Sequence, residues 1–195
     1  MVTSRWLYKV KQVADGNVEK HKARFVARGF SQVKGIDYDE TFAPIARYSS
    51  IKSMLALSAQ MGWKIHQMDM KISFLSGKIK EEVYIEQPEG FKTFDHESHA
   101  CRLKRALYGL KQAPYAWYTR IKSYFTSLGF TKSEADVKLY HIMVEGKPLI
   151  IVLYVDDLIL TGDDQLIQSF KEDPARELEM YDMGLMHYFL GMEVW

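Results

Sequence analysis

Apolar and polar residues alternate from Trp6 to Val13 and again from Val18 to Phe30. The intervening Ala14-Asp15-Gly16-Asn17 contains Asp-Gly, a tight-turn signal, so this opening predicts a long two-stranded hairpin. Ser49 and Ser50 can cap a helix whose apolar residues Ile51, Met54, Leu55 and Met61 share one face, with Gly62 as its stop. Lys64 to Ile72 then predicts a strand. Gln112-Ala113-Pro114 opens a second helix, since proline is tolerated in a first turn. Its apolar face runs through Trp117, Ile121, Tyr124, Phe125 and Leu128 before Gly129. Lys138 to Val144 predicts an edge strand, turned by Glu145-Gly146-Lys147. Leu149–Val155 and Leu158–Thr161 are apolar strands separated only by Asp156-Asp157. Asp163 or Asp164 caps a helix toward Met180, and His187–Val194 closes the pattern as a strand.

With the edge strand and residues 77–110 set aside, the order is strand, helix, strand, strand, helix, strand. That is an α+β arrangement of ferredoxin-like βαββαβ type. Such a sheet sets its first strand beside its third, which would bring Asp69 near the Asp156-Asp157 turn.

Composition narrows the class. The chain has 195 residues, 47% apolar and 26% charged, which is ordinary globular usage and excludes disordered, collagen-like and low-complexity classes. One cysteine, Cys101, forbids an internal disulfide and fits a reducing compartment. The longest clean apolar run, Leu149 to Val155, is far short of the ~20 residues of a membrane helix. The N-terminus lacks the apolar core of a signal peptide. The expectation is a soluble, intracellular, cytoplasmic protein that does not touch a membrane.

The net charge of +1 conceals segregation. Residues 1–34 carry eight bases against Asp15 and Glu19. Residues 101–122 carry six bases and no acid, whereas Tyr154 to Trp195 holds ten acids against Lys171 and Arg176. Solvated faces that happen to cluster would give this pattern. So would a protein that holds a polyanion with one part and cations with another.

Asp156 and Asp157 break the most apolar stretch of the chain, where two adjacent carboxylates repel each other and are costly to desolvate. Taken alone, they read more readily as a plain hairpin turn, for which aspartate is well suited. A third acid, Asp69, stands in Gln67-Met68-Asp69-Met70-Lys71, where a half-buried strand gains nothing from it. Three carboxylates meeting at one sheet edge would make a hard-oxygen site for Mg²⁺. A pair of such ions about 3.5–4 Å apart clamps the attacking and leaving oxygens of a phosphoryl transfer.

These residues resemble a known family. Tyr154-Val155-Asp156-Asp157 with its flanking Leu-Ile-Leu-Thr-Gly is similar to the catalytic turn of reverse transcriptases. More narrowly, the chain resembles the reverse transcriptase segment of copia-type LTR retrotransposons. The supporting stretches, in the family's order, begin with Lys22-Ala-Arg-Phe-Val-Ala-Arg-Gly-Phe30, Gly35-Ile-Asp-Tyr-Asp-Glu-Thr-Phe-Ala-Pro44 and Gln67-Met-Asp-Met-Lys-Ile-Ser-Phe-Leu75. They continue with Glu82-Val-Tyr-Ile-Glu-Gln-Pro-Glu-Gly-Phe91, Ala106-Leu-Tyr-Gly-Leu-Lys-Gln-Ala-Pro114 and Tyr188-Phe-Leu-Gly-Met-Glu-Val194.

The resemblance implies an RNA-directed DNA polymerase core that adds deoxynucleotides to a primer 3′ end by two-metal phosphoryl transfer. It implies a polymerase palm of the ferredoxin-like type with an inserted fingers subdomain. The fingers would be approximately residues 1–48 and 77–111, the palm approximately 49–76 and 112–195. Thumb, connection and RNase H regions have no counterpart in this sequence. Asp69, Asp156 and Asp157 would be the catalytic carboxylates and ligands of two Mg²⁺ ions, for which Mn²⁺ can substitute. Lys22 and Arg24 would grip the triphosphate, with Lys11, or Lys9 on the same face, as the partner from the facing strand. Phe74 would crowd the sugar 2′ position, while Tyr108, Gly109, Lys111 and Gln112 would lie around the incoming nucleotide and template base. Phe189, Leu190 and Gly191 resemble the primer grip. The implied partners are an RNA or DNA template-primer, deoxynucleoside triphosphates and the rest of a retrotransposon polyprotein, with a virus-like particle in the cytoplasm as the setting.

Four positions depart from the family pattern: Ser73; Tyr115, where arginine is usual; Tyr181, where a lysine commonly precedes Asp-Leu-Gly; and Pro174 inside the last helix, at a cost of about 3 kcal/mol or a kink. They keep open a second reading, a catalytically inactive, truncated remnant that folds and at most binds nucleic acid. An RNA-recognition module on the same sheet is disfavoured because the aromatic sheet signature is missing. His96, His99 and Cys101 lack a matching second half for zinc. The aromatic residues Trp117, Tyr118, Tyr124 and Phe125 have the spacing of a packed helix face.

Overall fold

The computed structural model describes residues 1–13, 15–41, 46–70, 75, 77–91 and 99–194, with the side chains at 173–176 outside that description. The chain opens with β1 (Ser4–Gln12) and β2 (Val18–Ala27), followed by α1 (Tyr48–Met61) and β3 (Ile65–Met70). Next come β4 (Tyr84–Ile85), β5 (Cys101–Arg102), α2 (Ala113–Ser127), β6 (Thr131–Lys132) and β7 (Leu139–Val144). The rest is β8 (Lys147–Tyr154), β9 (Asp157–Gly162), α3 (Asp164–Glu177), β10 (Met180–Leu185), β11 (Tyr188–Phe189) and β12 (Met192–Glu193). These elements form two compact units. Unit 1 comprises Met1–Ala43 and Phe74–Arg120; unit 2 comprises Pro44–Ser73 and Ile121–Trp195.

Unit 1 is built on the β1–β2 hairpin. Its register pairs Leu7 with Arg24, Lys9 with Lys22 and Lys11 with Lys20, and a bulge at Lys11/Gln12 precedes the turn. Because side chains alternate along a strand, Arg5, Lys9, Lys11, Lys20, Lys22 and Arg24 share one face. Trp6, Tyr8 and Phe25 share the other, where the Trp6 ring contacts Tyr8, Phe25 and Phe91 and its indole N–H donates to the Glu89 carbonyl (3.1 Å). A small core of Val2, Ala27, Val83, Ile85, Ala106, Leu110 and Ala113 closes the unit. The segment at Tyr108–Lys111 lies hard against the end of β2. The Ala27 N–H donates to the Tyr108 carbonyl at 2.7 Å, and a Cβ at Gly109 would run into the Ala27 carbonyl oxygen.

Unit 2 holds a six-stranded antiparallel sheet in the order β10-β3-β9-β8-β7-β6. This is a mixed α/β architecture. The first long strand of the unit, β3, lies beside β9, as the sequence pattern anticipates. Phe125, Phe130, Tyr140 and Phe170 form one connected aromatic cluster. Ala46, Ile51, Met54, Ile65, Val152, Ile159, Met186 and Phe189 form a second buried cluster, and Ser58 of α1 is hydrogen-bonded to Thr161 of β9 (2.8 Å).

Several expectations need correction. The strand read at His187–Val194 is two short strands, β11 and β12, which among the described residues pair only with each other, and the strand that joins β3 is β10. Asp182-Met183-Gly184 has the composition of a turn, but a register shift between Asp182 and Gly184 absorbs it as a bulge, and the strand continues. The last helix stops at Glu177 and does not reach Met180. It continues over position 174, so the proline does not end it. Neither Ser49 nor Ser50 caps α1. Its N-cap is Arg47, which makes no side-chain cap bond. Instead Asp136 accepts the Arg47 N–H (2.8 Å). Burial pushes the Asp136 carboxyl up, but hydrogen bonds from Ser50, Lys138 N–H and Arg47 N–H outweigh it and hold it below its ordinary range. The two-residue β6 pairs outside β7 at Tyr140 and His141, so the sheet ends on β6 there, while β7 is at its edge from Ile142 to Val144.

Candidate active site

The carboxylates all belong to unit 2. Asp69 is the register partner of Asp157 across the β3–β9 ladder, and the Met70 N–H donates to the Asp156 carbonyl (3.1 Å). Tyr154 pairs with Asp157 on one side and Tyr181 with Asp69 on the other. The row across four adjacent strands is therefore Tyr154, Asp157, Asp69, Tyr181, with Asp156 on the adjoining turn. Gln67, two residues before Asp69 and so on the same face, donates to Asp157 Oδ1 (3.0 Å). Burial pushes the Asp157 carboxyl above its ordinary range. Asp69 and Asp156 push it further, and the Gln67 hydrogen bond opposes them.

The turn itself is strained. β8 and β9 are joined by Val155 and Asp156 alone, and Val155 has φ of 55°. A β-branched residue in the left-handed region is an outlier that costs on the order of 1–3 kcal/mol, and such strain concentrates at functional sites. Glycine is the usual residue at the first position of a two-residue turn with positive φ there.

The β11–β12 hairpin adjoins this row through an edge-on contact between the Tyr154 and Phe189 rings, 5.3 Å between centroids. Leu190 and Gly191 both have positive φ, the signature of a type I′ turn. Phe189 is buried, whereas Leu190 is exposed at the tip.

Among the described residues no three His, Cys, Asp or Glu side chains, Asp69, Asp156 and Asp157 included, are placed so that together they could hold a metal ion. His96 lies outside those residues, and His99 and Cys101 belong to no such set. The donor chemistry at Asp69, Asp156 and Asp157 nonetheless fits a divalent cation. It consists of hard oxygens on two adjacent strands and on the turn between β8 and β9, with a mutual repulsion that such an ion would relieve.

The residues expected at the nucleotide fall in unit 1. Lys22 faces Lys9 across the hairpin, and Lys11 faces Lys20, which resolves the registration. The Arg24 guanidinium lies over the Tyr108 ring, 5.5 Å from its centroid, so two expected residues meet. Gln112 is only 2% exposed. Its Oε1 accepts from Gln32 (3.0 Å) and its Nε2 donates to the Asp37 carbonyl (2.8 Å). Gln32 Oε1 in turn accepts the Lys111 N–H (2.7 Å). Phe74 lies outside the described residues. Gln32 was not singled out from the sequence, and Gln67 and Tyr154 stood there only as members of the stretches around Asp69 and Asp156, with no role of their own.

Across residues 1–195 the chain matches the family described as Reverse transcriptase (RNA-dependent DNA polymerase), and it belongs to that family. Its relatives are Pol polyproteins of copia-type transposons. It is 38% identical over 195 residues to the retrovirus-related Pol polyprotein from transposon RE1 of Arabidopsis thaliana, covering 99% of this chain and 13% of that protein. The corresponding protein from transposon TNT 1-94 of Nicotiana tabacum is 39% identical over 192 residues, covering 97% and 14%. The Transposon Ty1-H Gag-Pol polyprotein of Saccharomyces cerevisiae is 32% identical over 187 residues, covering 89% and 10%. The chain thus spans 13–14% of the length of the plant relatives.

Proposed function

We propose that this chain is the RNA-directed DNA polymerase core of a copia-type retrotransposon, extending a primer 3′ end with deoxynucleotides. The observation that carries the reading is the pairing of Asp69 with Asp157 across adjacent strands, with Asp156 on the turn between β8 and β9. Unit 2 is then a polymerase palm of the ferredoxin-like type. Counting β3, β8, β9 and β10 in chain order, its central strands run fourth, first, third, second, which supports this reading. Unit 1 is the fingers subdomain.

Asp69, Asp156 and Asp157 would hold two Mg²⁺ ions, or Mn²⁺ in their place, which when bound neutralise charge on the reacting phosphate oxygens. Gln67 orients Asp157 by its hydrogen bond. Lys22 and Arg24 offset the charge of the triphosphate, the guanidinium by bidentate contact and the ammonium as a point charge. Lys9 and Lys11 add to that field, and Phe74 would exclude a ribose hydroxyl. Tyr108 steadies Arg24, and Gln112 acts as a positioning residue that fixes the Lys111 segment through Gln32. In the grip on the primer, Phe189 anchors the hairpin and Leu190 with Gly191 presents its tip. A template-primer and deoxynucleoside triphosphates are the substrates, and the remainder of a polyprotein is the covalent context.

Primer extension in Mg²⁺ by wild type and by Asp156→Asn tests the reading. Incorporation by wild type that is lost in the variant is expected, and equal incorporation by both overturns it. One observation favours the inactive-remnant alternative: Tyr181 sits directly across from Asp69, where the family commonly keeps a lysine. Salt-sensitive binding of an RNA–DNA duplex without incorporation would establish that alternative.

A further inference from the structure

On the face of the sheet away from Asp69, α3 buries a lysine. Lys171 is 7% exposed, and its ammonium meets His66 Nδ1 on β3 (2.8 Å) and Asp182 Oδ2 on β10 (2.9 Å). Because side chains alternate along β3, His66 and Met68 point away from the face that carries Asp69. Asp182 is the register partner of Met68 and shares its face. Its other oxygen, Oδ1, accepts the Gly184 N–H (2.9 Å), so one carboxylate spans the bulge between Asp182 and Gly184 and also reaches the lysine. Burial pushes the Asp182 carboxyl up, but the bonds from Lys171 and the Gly184 N–H outweigh it and hold it below its ordinary range.

The bulge decides what stands opposite the acids. β10 lies at the end of its sheet, and among the described residues its ladder is with β3 alone. After the bulge Gly184 pairs with Gln67 and Leu185 with His66; before it Tyr181 pairs with Asp69 and Met180 with Met70. Met183 is the extra residue, and it is exposed. Were the bulge to slide out past Met180, Met183 would pair with Met68, Asp182 with Asp69 and Tyr181 with Met70. Such a one-residue slip turns each of these side chains to the other face. It exchanges Met180 and Asp182 on the buried face for Tyr181 and Met183, so apolar pattern does not choose the observed register. Lys171 does, because a buried ammonium that loses its carboxylate is left uncompensated. His66 is held on β3 by pairing with Leu160 of β9, so the lysine sets β10 against a strand whose own register is already fixed.

We infer that Lys171 is a register lock: by holding Asp182 on the α3 face it keeps Tyr181, and not a fourth carboxylate, opposite Asp69. Lys171 is thus a positioning residue for Asp69 and touches no substrate. Its consequence for turnover rests on the polymerase reading; the choice of register does not.

Cross-strand nuclear Overhauser contacts in the full chain read the register, and single-turnover primer extension in Mg²⁺ reads its consequence. Wild type should show contact between Tyr181 and Asp69. Lys171→Met, which keeps the length of the side chain and removes its charge, should replace that contact by one between Asp182 and Asp69 and slow incorporation about a hundredfold. Deleting Met183 removes the extra residue and leaves a regular ladder with the observed pairs on both sides, so the lock becomes dispensable. Lys171→Met combined with that deletion should therefore restore both the Tyr181–Asp69 contact and incorporation, a rescue that a merely structural lysine would not show. Asp182→Ala, at a half-exposed side chain, should shift the pairing as Lys171→Met does, and it carries the test if Lys171→Met fails to fold. A folded Lys171→Met or Asp182→Ala variant that keeps Tyr181 opposite Asp69 overturns the lock, as does a shift that the Met183 deletion leaves uncorrected. A shift with rescue, in a chain whose incorporation is indifferent to Asp156→Asn, would leave the lock standing and remove the enzymatic reading.

Discussion

The hairpin of unit 1 and the acid-bearing turn of unit 2 each set like charges on adjacent antiparallel strands, yet they tolerate the crowding differently. On the hairpin, Lys9 stands opposite Lys22 and Lys11 opposite Lys20, with Lys9, Lys11 and Lys20 exposed. Water and salt screen that repulsion, so each pair costs only a fraction of a kcal/mol, roughly 0.2–1. At the turn, Asp157 is half-buried, its carboxyl is pushed up by burial and by Asp69 and Asp156, and the chain reverses through a strained Val155. A cationic surface that follows a flexible polyanion works without fixed geometry, and its members can be lost one at a time. Under the proposed reading, carboxylates that hold a small hard cation need fixed oxygens, and the sheet then carries their repulsion.

The sharpest way to break this comparison is to remove one charge from the rigid site. Asp69→Asn should lower incorporation by on the order of 10³-fold, about 4 kcal/mol of barrier. The same variant should melt no lower than wild type, because repulsion around Asp157 is relieved. A single-turnover assay and a thermal melt together check both halves. A smaller effect is expected from Val155→Gly, which removes the left-handed penalty and should raise the unfolding free energy by about 1 kcal/mol in a urea titration.

A further test concerns the buried group behind the rigid site. The Lys171 ammonium donates to His66 Nδ1 (2.8 Å) and to Asp182 Oδ2 (2.9 Å), joining α3, β3 and β10. Burial, and then the nearby Lys171 charge, lower the His66 pKa from its ordinary 6.5. As the pH falls below about 6.5, the unfolded chain takes up a proton that folded His66 resists, so stability should decline in that window. His66→Gln, which keeps an acceptor for Lys171, should flatten the decline in melts between pH 7 and 5. The smallest effect belongs to the hairpin. Lys11→Ala should change stability by less than about 0.5 kcal/mol and reduce the salt slope of nucleic-acid binding by about one.

Much of this was legible in the chain. The Asp-Gly turn and strand alternation define the β1–β2 hairpin, and the apolar runs flanking Asp156-Asp157 define β8 and β9, because both signals are local. The adjacency of β3 and β9 followed from element order. Other features depend on groups remote in sequence. Asp136 serves the start of α1 from 89 residues away, and Gln32 reaches Gln112 across 80. Periodicity cannot report such partners. At Gly184 a turn-forming composition yields to strand pairing, because β3 offers β10 a ladder. The left-handed Val155 violates local preference altogether, and a site can retain such a violation when the surrounding strands enforce it.

The crossing of Gly29 and Gly109, where a Cβ at Gly29 would strike the Gly109 carbonyl oxygen, bears on which changes this chain can absorb. Random change falls on every codon alike, but a single methyl group at either glycine would wedge two main chains apart. It would displace Tyr108 and Lys111 on one side and Arg28 and Phe30 on the other. One mutation there would silence what many changes along the exposed lysines would only dull. Under the proposed polymerase reading, these two glycines should separate copies of the chain that still fold in unit 1 from those that do not.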